Sequence, residues 1–269
     1  MSILARLSLN QITTDPWNME QTVAACERHG ISYIGVWRHK LDGDAAKAAA
    51  MIHGVGLKVS SLCRGGWFSA PTENERRDRI ADNLRAIEEA ATLEAPVLVM
   101  VAGPADGQTL DDARKTVLDG VREILPTAEK AGVAIGIEPL HPMFAAERSV
   151  VVTLKQANDM AEQLNHPSVG VVLDVFHLWW DPEVWREIER AKGRILGFHV
   201  SDWPVPLPGI LTGRGMMGSG VIELRRLRQA VEAAGYNGPI EVEIFNDEIW
   251  KTVSDGTIER IKETFEKFV

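Results

Sequence analysis

Four polar residues each close an apolar, β-branched run: Glu138 in GIEPLH, Asp174 in VLDVFH, His199 in GFHVSD and Glu243 in EVEIFN. Side chains at strand ends of this kind converge on one mouth. Three carboxylates and an imidazole gathered in an apolar cup repel one another, and desolvating them costs several kcal/mol unless a cation compensates. A divalent metal does this directly. A donor set of oxygens with one nitrogen points to Mn2+, with Mg2+, Co2+ or Zn2+ as alternatives. Asp174 also opens the spacing Asp174-x-x-His177 at the end of the run Val169 to Val175. Both side chains should project where a hard cation or a polyol can be held. Such a motif is short enough to arise by chance, and its weight comes from the other three strand ends.

These residues need strands to hold them. Apolar runs recur at Leu7 to Ile12, Ile31 to Trp37, Leu57 to Cys63, Pro96 to Val101, Val133 to Ile137, Val169 to Val175, Ile195 to Val200 and Ile240 to Phe245. Helical periodicity separates them, as at Met19 to His29, Glu73 to Ala91, Asp111 to Ala131, Leu154 to Leu164, Glu183 to Ala191 and Ile222 to Ala234. Eight strand-helix alternations in one α/β chain predict a (β/α)8 TIM barrel, with a doubly wound sheet as the other arrangement. No linker or shift in composition divides the chain, so residues 1–269 read as a single domain.

Links from helix to strand are short and carry glycine stop signals, as at His29-Gly30 and Ala131-Gly132. Links from strand to helix are long. They hold Trp37, Trp67, Trp179, Trp180, Trp203 and Trp250, and Trp17 stands before the first helix, so seven of the eight tryptophans belong to the active-site end of a barrel. Trp37, Trp179 and Trp203 could offer their faces to the C–H faces of a sugar, or could plug the barrel top. His29, His53 and His166 lie at helix ends or before a strand and read as structural, whereas His141, His177 and His199 fall at or beyond strand ends, where the site should be. The connection from Asp202 to Gly220 is too long for an ordinary link and reads as a mobile lid or substrate loop, with Arg214 as a ligand for an anionic oxygen or hydroxyl. Gly213 to Gly218 matches G-x-G-x-x-G but does not leave a strand directly, so it is not read as a dinucleotide site.

At these residues the chain resembles the xylose isomerase-like superfamily of TIM barrels, the sugar isomerases and epimerases that share a fold with endonuclease IV. Glu138-Pro139-Leu140, Asp174-x-x-His177, His199-x-Ser201-Asp202, the Arg214 to Gly220 loop and Glu243 look like successive signatures of ketose 3-epimerases and hydroxypyruvate isomerase. The resemblance implies one metal on Glu138, Asp174, His199 and Glu243. It also implies that Glu138 and Glu243 serve as the acid/base pair, and that His177 and Arg214 contact substrate oxygens. The chemistry would be proton transfer next to a carbonyl through an enediolate. Return of the proton to the opposite face gives an epimer, and return to the neighbouring carbon gives an aldose-ketose isomer. The chain departs from many epimerases at Pro139-Leu140-His141-Pro142-Met143, where they have an asparagine and an arginine soon after Glu-Pro-Leu.

Composition narrows the partners. Hydrophobic content of 45% and charged content of 25% are those of a globular protein. No apolar run reaches membrane-spanning length, and the N-terminus lacks a signal-peptide core, which points to the cytoplasm. Cys26 and Cys63 are too few for a disulfide framework. A formal charge of -9 and the absence of a basic stripe disfavour nucleic acid. The strand ends near Cys63 and Val101 offer no histidine for the trinuclear centre of an endonuclease IV-like nuclease. The expected partner is therefore a small sugar, keto-sugar, hydroxy-keto acid or polyol. A hydro-lyase acting on a keto-inositol-like polyol is the alternative, and a non-catalytic sugar-binding barrel is disfavoured by the presence of both glutamates. A homo-oligomer is possible, since barrels with aromatic rims commonly associate.

Overall fold

Strands that are apolar on both faces must be covered on both, and a parallel sheet achieves this by closing on itself inside a ring of helices. The computed structural model, which describes residues 2–70 and 72–269, does so. Its elements run β1 (Leu7–Asn10), α1 (Met19–His29), β2 (Tyr33–Trp37), α2 (Ala45–Gly54), β3 (Lys58–Gly66), α3 (Glu73–Thr92), β4 (Val97–Val101), α4 (Leu110–Ala131) and β5 (Ala134–Glu138). They continue α5 (Leu154–Leu164), β6 (Val169–Asp174), α6 (Val175–Leu178), α7 (Val184–Arg190), β7 (Ile195–Val200), α8 (Leu224–Ala233), β8 (Ile240–Val242), α9 (Asp247–Lys251) and α10 (Asp255–Phe268). Each strand pairs in parallel with the next, and β1 pairs with β8 to close the barrel. The (β/α)8 expectation holds, and the doubly wound sheet is excluded.

Local chemistry sets the element ends. Asn18 and Gln21 form a capping box on α1, Thr72 and Glu75 form one on α3, and Gly30 and Gly132 end α1 and α4 in the left-handed region. A large apolar cluster lies between strands and helices, with Leu9, Ile34, Leu62 and Leu98 fully buried. Each such side chain contributes about 1.5–3 kcal/mol. Among the described residues no helix is long and apolar enough to cross a membrane.

Several strand boundaries differ from the sequence expectation, β8 among them, which ends at Val242 rather than Phe245, and three of the differences have a visible cause. The run Val169 to Val175 gives up its last residue, because Asp174 Oδ1 accepts from the Phe176 N–H at 2.8 Å and starts α6 there. In β1 the Asn10 side chain accepts from the Ile12 N–H and turns the chain into a 3-10 helix. By contrast β3 runs past Cys63, since Gly65 and Gly66 pair with Met100 and Val101 of β4. The connection from Asp202 to Gly220 is also stitched down rather than free at its base. The Asp202 carboxylate accepts from the N–H groups of Trp203, Gly218, Gly220 and Ile222 at 2.8–3.1 Å, and Arg214 N donates to Phe245 O at 3.1 Å.

Candidate metal centre

Strand register brings the four strand-end residues together. Asp174 pairs with His199, His199 with Glu241, and the Glu243 N–H continues the ladder to Val200 O at 3.0 Å. Glu138 ends β5 beside Val101. One ligand-type atom from each of Glu138, Asp174, His199 and Glu243 lies within 4.8 Å of the others, and all four side chains are buried. His199 Nδ1 faces Glu138 Oε1 at 3.1 Å and Glu243 Oε2 at 3.6 Å. The 3.1 Å approach is ion-pair distance without hydrogen-bond alignment. Both ring nitrogens of His199 and Glu138 Oε1 are left with no hydrogen-bond partner. Buried polar atoms are rarely orphaned, and three orphans beside a carboxylate cluster fit a divalent cation with oxygen ligands and one nitrogen.

Arg214 is the counter-charge that the chain itself supplies. Its Nη1 donates to Asp174 Oδ2 at 2.7 Å and to Glu243 Oε2 at 3.0 Å, and its Nη2 meets His177 Nε2 at 3.1 Å. Because a guanidinium only donates, His177 Nε2 must accept, which puts the imidazole proton on Nδ1. Burial and the Arg214 charge keep His177 neutral by holding it well below its ordinary value. The guanidinium lies between the rings of Phe176 and Phe245, at 4.8 and 4.9 Å from their centroids, and Trp203 stacks on the far side of Phe176.

The carboxylates do not share one environment. Burial raises Glu138, and the close approach of the His199 ring only partly offsets it. Burial likewise pushes Asp174 up to about 7 against the pull of Arg214. Glu243 is also buried, but Arg214 and His199 outweigh that effect and hold its carboxyl well below the usual range. For His199 burial disfavours the charge, yet Glu241, Glu138 and Glu243 together drive it well above its ordinary value.

Glu241 is a carboxylate that the sequence reading missed. It lies under His199, with Oε2 3.7 Å from Nε2, and is held by Asn10 Nδ2 and Ser60 Oγ at 2.8 Å each. Gly35 makes room for it: a Cβ there would stand 2.2 Å from Glu241 Oε2. Alternation within β8 was the available signal, since Glu241 and Glu243 stand two residues apart in EVEIF and share the inward face.

The cluster opens into a small cavity of about 30 Å³ lined by Trp37, Arg64, Glu138, Arg148, His177, Arg214 and Glu243 among others. Trp37 thus reaches it, with its Nε1 donating to Asn10 Oδ1 at 2.7 Å. His141, Trp179 and Trp203 are not among the lining residues. They pack against one another behind the wall, with ring centroids 5.1 Å apart for His141 and Trp203 and 5.4 Å for Trp179 and Trp203, while His141 Nδ1 accepts from the Met143 N–H. Trp180 and Trp250 spend their N–H groups on the carbonyls of His177 and Ile12. Most of the aromatic rim therefore plugs the barrel top. The glycines of Gly213 to Gly218 answer to packing as well: Gly218 has φ +84°, and a Cβ on it would strike the Phe268 ring.

A family model described as xylose isomerase-like TIM barrel matches residues 23–266. The crystal structure of protein SMc04130 from Sinorhizobium meliloti 1021 is 44% identical, with a TM-score of 0.96 over 98% of each chain. An inosose isomerase of Bacillus velezensis is 27% identical across 98% of this chain and 97% of its own. The crystal structure of IOLI protein with a zinc atom superposes with a TM-score of 0.85 at 23% identity, covering 98% of this chain and 99% of that one.

Proposed function

We propose that this chain, which belongs to the xylose isomerase-like TIM barrel family, is a divalent-metal-dependent isomerase or epimerase of a small sugar, keto-sugar or hydroxy-keto acid. The observation that carries the reading is the convergence of Glu138, Asp174, His199 and Glu243 within 4.8 Å at the barrel mouth, beside the cavity that Trp37, His177 and Arg214 line. These four residues would hold the metal, with His199 presenting Nδ1. Mn2+ suits the donor set best, with Mg2+, Co2+ or Zn2+ as alternatives, and the zinc atom of the IOLI structure supports a divalent ion in a fold of this kind. When bound, the cation supplies Lewis-acid stabilisation of the negative charge that develops on the substrate carbonyl oxygen.

The chain's own residues handle the proton. Glu243, paired with Arg214 at 3.0 Å and so held ionised, is suited to remove the proton from the carbon beside the carbonyl, and Glu138, which has no arginine partner among the described residues, is suited to return one. They come from β5 and the end of β8, three strands apart in the ring, so they approach the substrate from different sides. Arg214 and neutral His177 line the cavity beside the cluster and would contact substrate oxygens, the guanidinium as the donor, and the aromatic layer behind them excludes water. The inosose isomerase relative supports a polyol-derived substrate.

Incubation with a sugar and keto-acid panel in deuterated water tests this. The expected result is an isomeric product carrying solvent deuterium at the α-carbon. Loss of water with an unsaturated product would instead favour the hydro-lyase, which shares the enolate step but expels a β-hydroxyl. No exchange and no product with any metal would refute both.

A further inference from the structure

Two arginines of the cavity have no place in that chemistry. Arg64, on β3 just past Cys63, and Arg148, after the 3-10 turn Pro142–Phe144, are both half-buried and line the same cavity as Glu138 and Glu243. They also share an adjoining hollow of about 320 Å³ with Trp37, Arg38 and Asp82. Among the described residues neither guanidinium has a carboxylate at ion-pair distance or donates a hydrogen bond. Beside Arg64 the carboxylate of Asp82 is already engaged, since Arg38 takes it in a two-pronged pair at 2.9 and 3.1 Å and also pairs with Glu89, while Glu138 and Glu147 act on Arg148 only from beyond ion-pair distance.

An aromatic ring holds Arg64 closely, and another stands at the edge of contact range from Arg148. The Arg64 guanidinium carbon lies 4.0 Å from the Trp67 ring centroid, and that of Arg148 lies 6.0 Å from Phe144. Stacking fixes a guanidinium by its face and leaves its N–H edge free for an oxyanion. Burial and repulsion by neighbouring arginines hold both groups below the ordinary arginine value. The rest of the site does not neutralise them. The three carboxylates of the cluster are balanced by a divalent ion and Arg214, and Glu241 beneath His199 offsets at most one of the two remaining charges.

We propose that Arg64 and Arg148 form a subsite for an oxyanion, a carboxylate or a phosphate group, at the end of the substrate remote from the metal cluster. It follows that the enzyme prefers acidic sugars, hydroxy-keto acids or sugar phosphates over neutral sugars. The preference rests on the isomerase reading above, whereas the subsite itself does not.

The test uses the full chain as wild type, Arg64→Gln, Arg148→Gln and the double variant. Inorganic phosphate and acetate are titrated calorimetrically at constant ionic strength, and a neutral keto-sugar is compared with its carboxylate and phosphate counterparts. Saturable binding of either anion to wild type is expected, weakened about tenfold by each single change and about 10²-fold by the double one, as for loss of charge-assisted hydrogen bonds. Tighter acetate identifies a carboxylate substrate, and tighter phosphate a phosphorylated one. Ligand-free variants should melt at or above the wild-type temperature, because an uncompensated half-buried charge has been removed. A lowered melting temperature with unchanged anion binding would mean that the arginines are structural, and the proposal would fall. It would fall equally if neither anion bound wild type, or if the double variant lost neutral and anionic turnover alike. The anion titration is read whether or not any sugar is turned over, so its failure is separate from failure of the isomerase reading.

Discussion

Replacing Asp174 by asparagine is expected to remove metal binding and turnover together while leaving the barrel folded. Asp174 Oδ1 caps α6 through the Phe176 N–H, and the amide oxygen of Asn can keep that bond. What is lost is the charge on Oδ2, which faces Arg214 and the cluster. Outer-shell changes alone lower metal affinity by about 10- to 100-fold, so loss of a charged ligand should exceed 10²-fold, with activity falling to background. Stability moves the other way. With its carboxyl pushed up to about 7, folded Asp174 binds a proton more tightly than the unfolded chain does, so stability from this group declines as pH rises through that value. A neutral Asn removes that loss, and the metal-free variant should melt no lower than metal-free wild type above pH 7. Metal content by elemental analysis, turnover and a melting curve decide the matter. Retained turnover with a full complement of metal would show that Asp174 is not a ligand.

The glutamate pair should respond differently. Glu138→Gln and Glu243→Gln each keep an oxygen for the metal but remove the group that moves the proton, so substrate binding should survive within roughly tenfold while kcat falls by about 10² to 10⁴. The two variants should part in solvent exchange. Glu138→Gln retains the ionised Glu243, fixed by Arg214, and should wash the substrate α-proton out into deuterated water without net product. Glu243→Gln should exchange nothing in that direction. A purely structural role predicts lost metal and a lowered melting temperature in both. Near wild-type turnover in both variants with metal bound would move the chemistry elsewhere, His177 being the nearest candidate.

The convergence of the four strand-end side chains was legible in the sequence because a parallel barrel aims every strand end at one mouth, and a charged residue that closes an apolar run stands out there. Glu138, Asp174, His199 and Glu243 each carry that local signature. Arg214 was legible through its loop, though not its depth: nothing local says that Phe176 and Phe245 will enclose it or that Asp202 will tie the loop down. Glu241 hid inside a strand, where a single acidic residue two positions before another reads as part of the same end. Arg64 was obscured because β3 runs three residues further than its apolar run, and Arg148 because its segment has no periodicity. Both reach the cavity only through tertiary packing. The tryptophans were placed on the right end of the barrel, but Trp180 and Trp250 spend their N–H groups on backbone carbonyls there and only Trp37 of the three candidates lines the cavity.

The most direct test of the metal centre is an anomalous difference map from crystals of the wild-type protein grown with Mn2+. One strong peak per chain is expected at the barrel mouth, about 2.0 to 2.3 Å from carboxylate oxygens of Glu138, Asp174 and Glu243 and from His199 Nδ1. A peak bound elsewhere on the protein, or an ordered cluster with no peak at saturating Mn2+, would contradict this assignment.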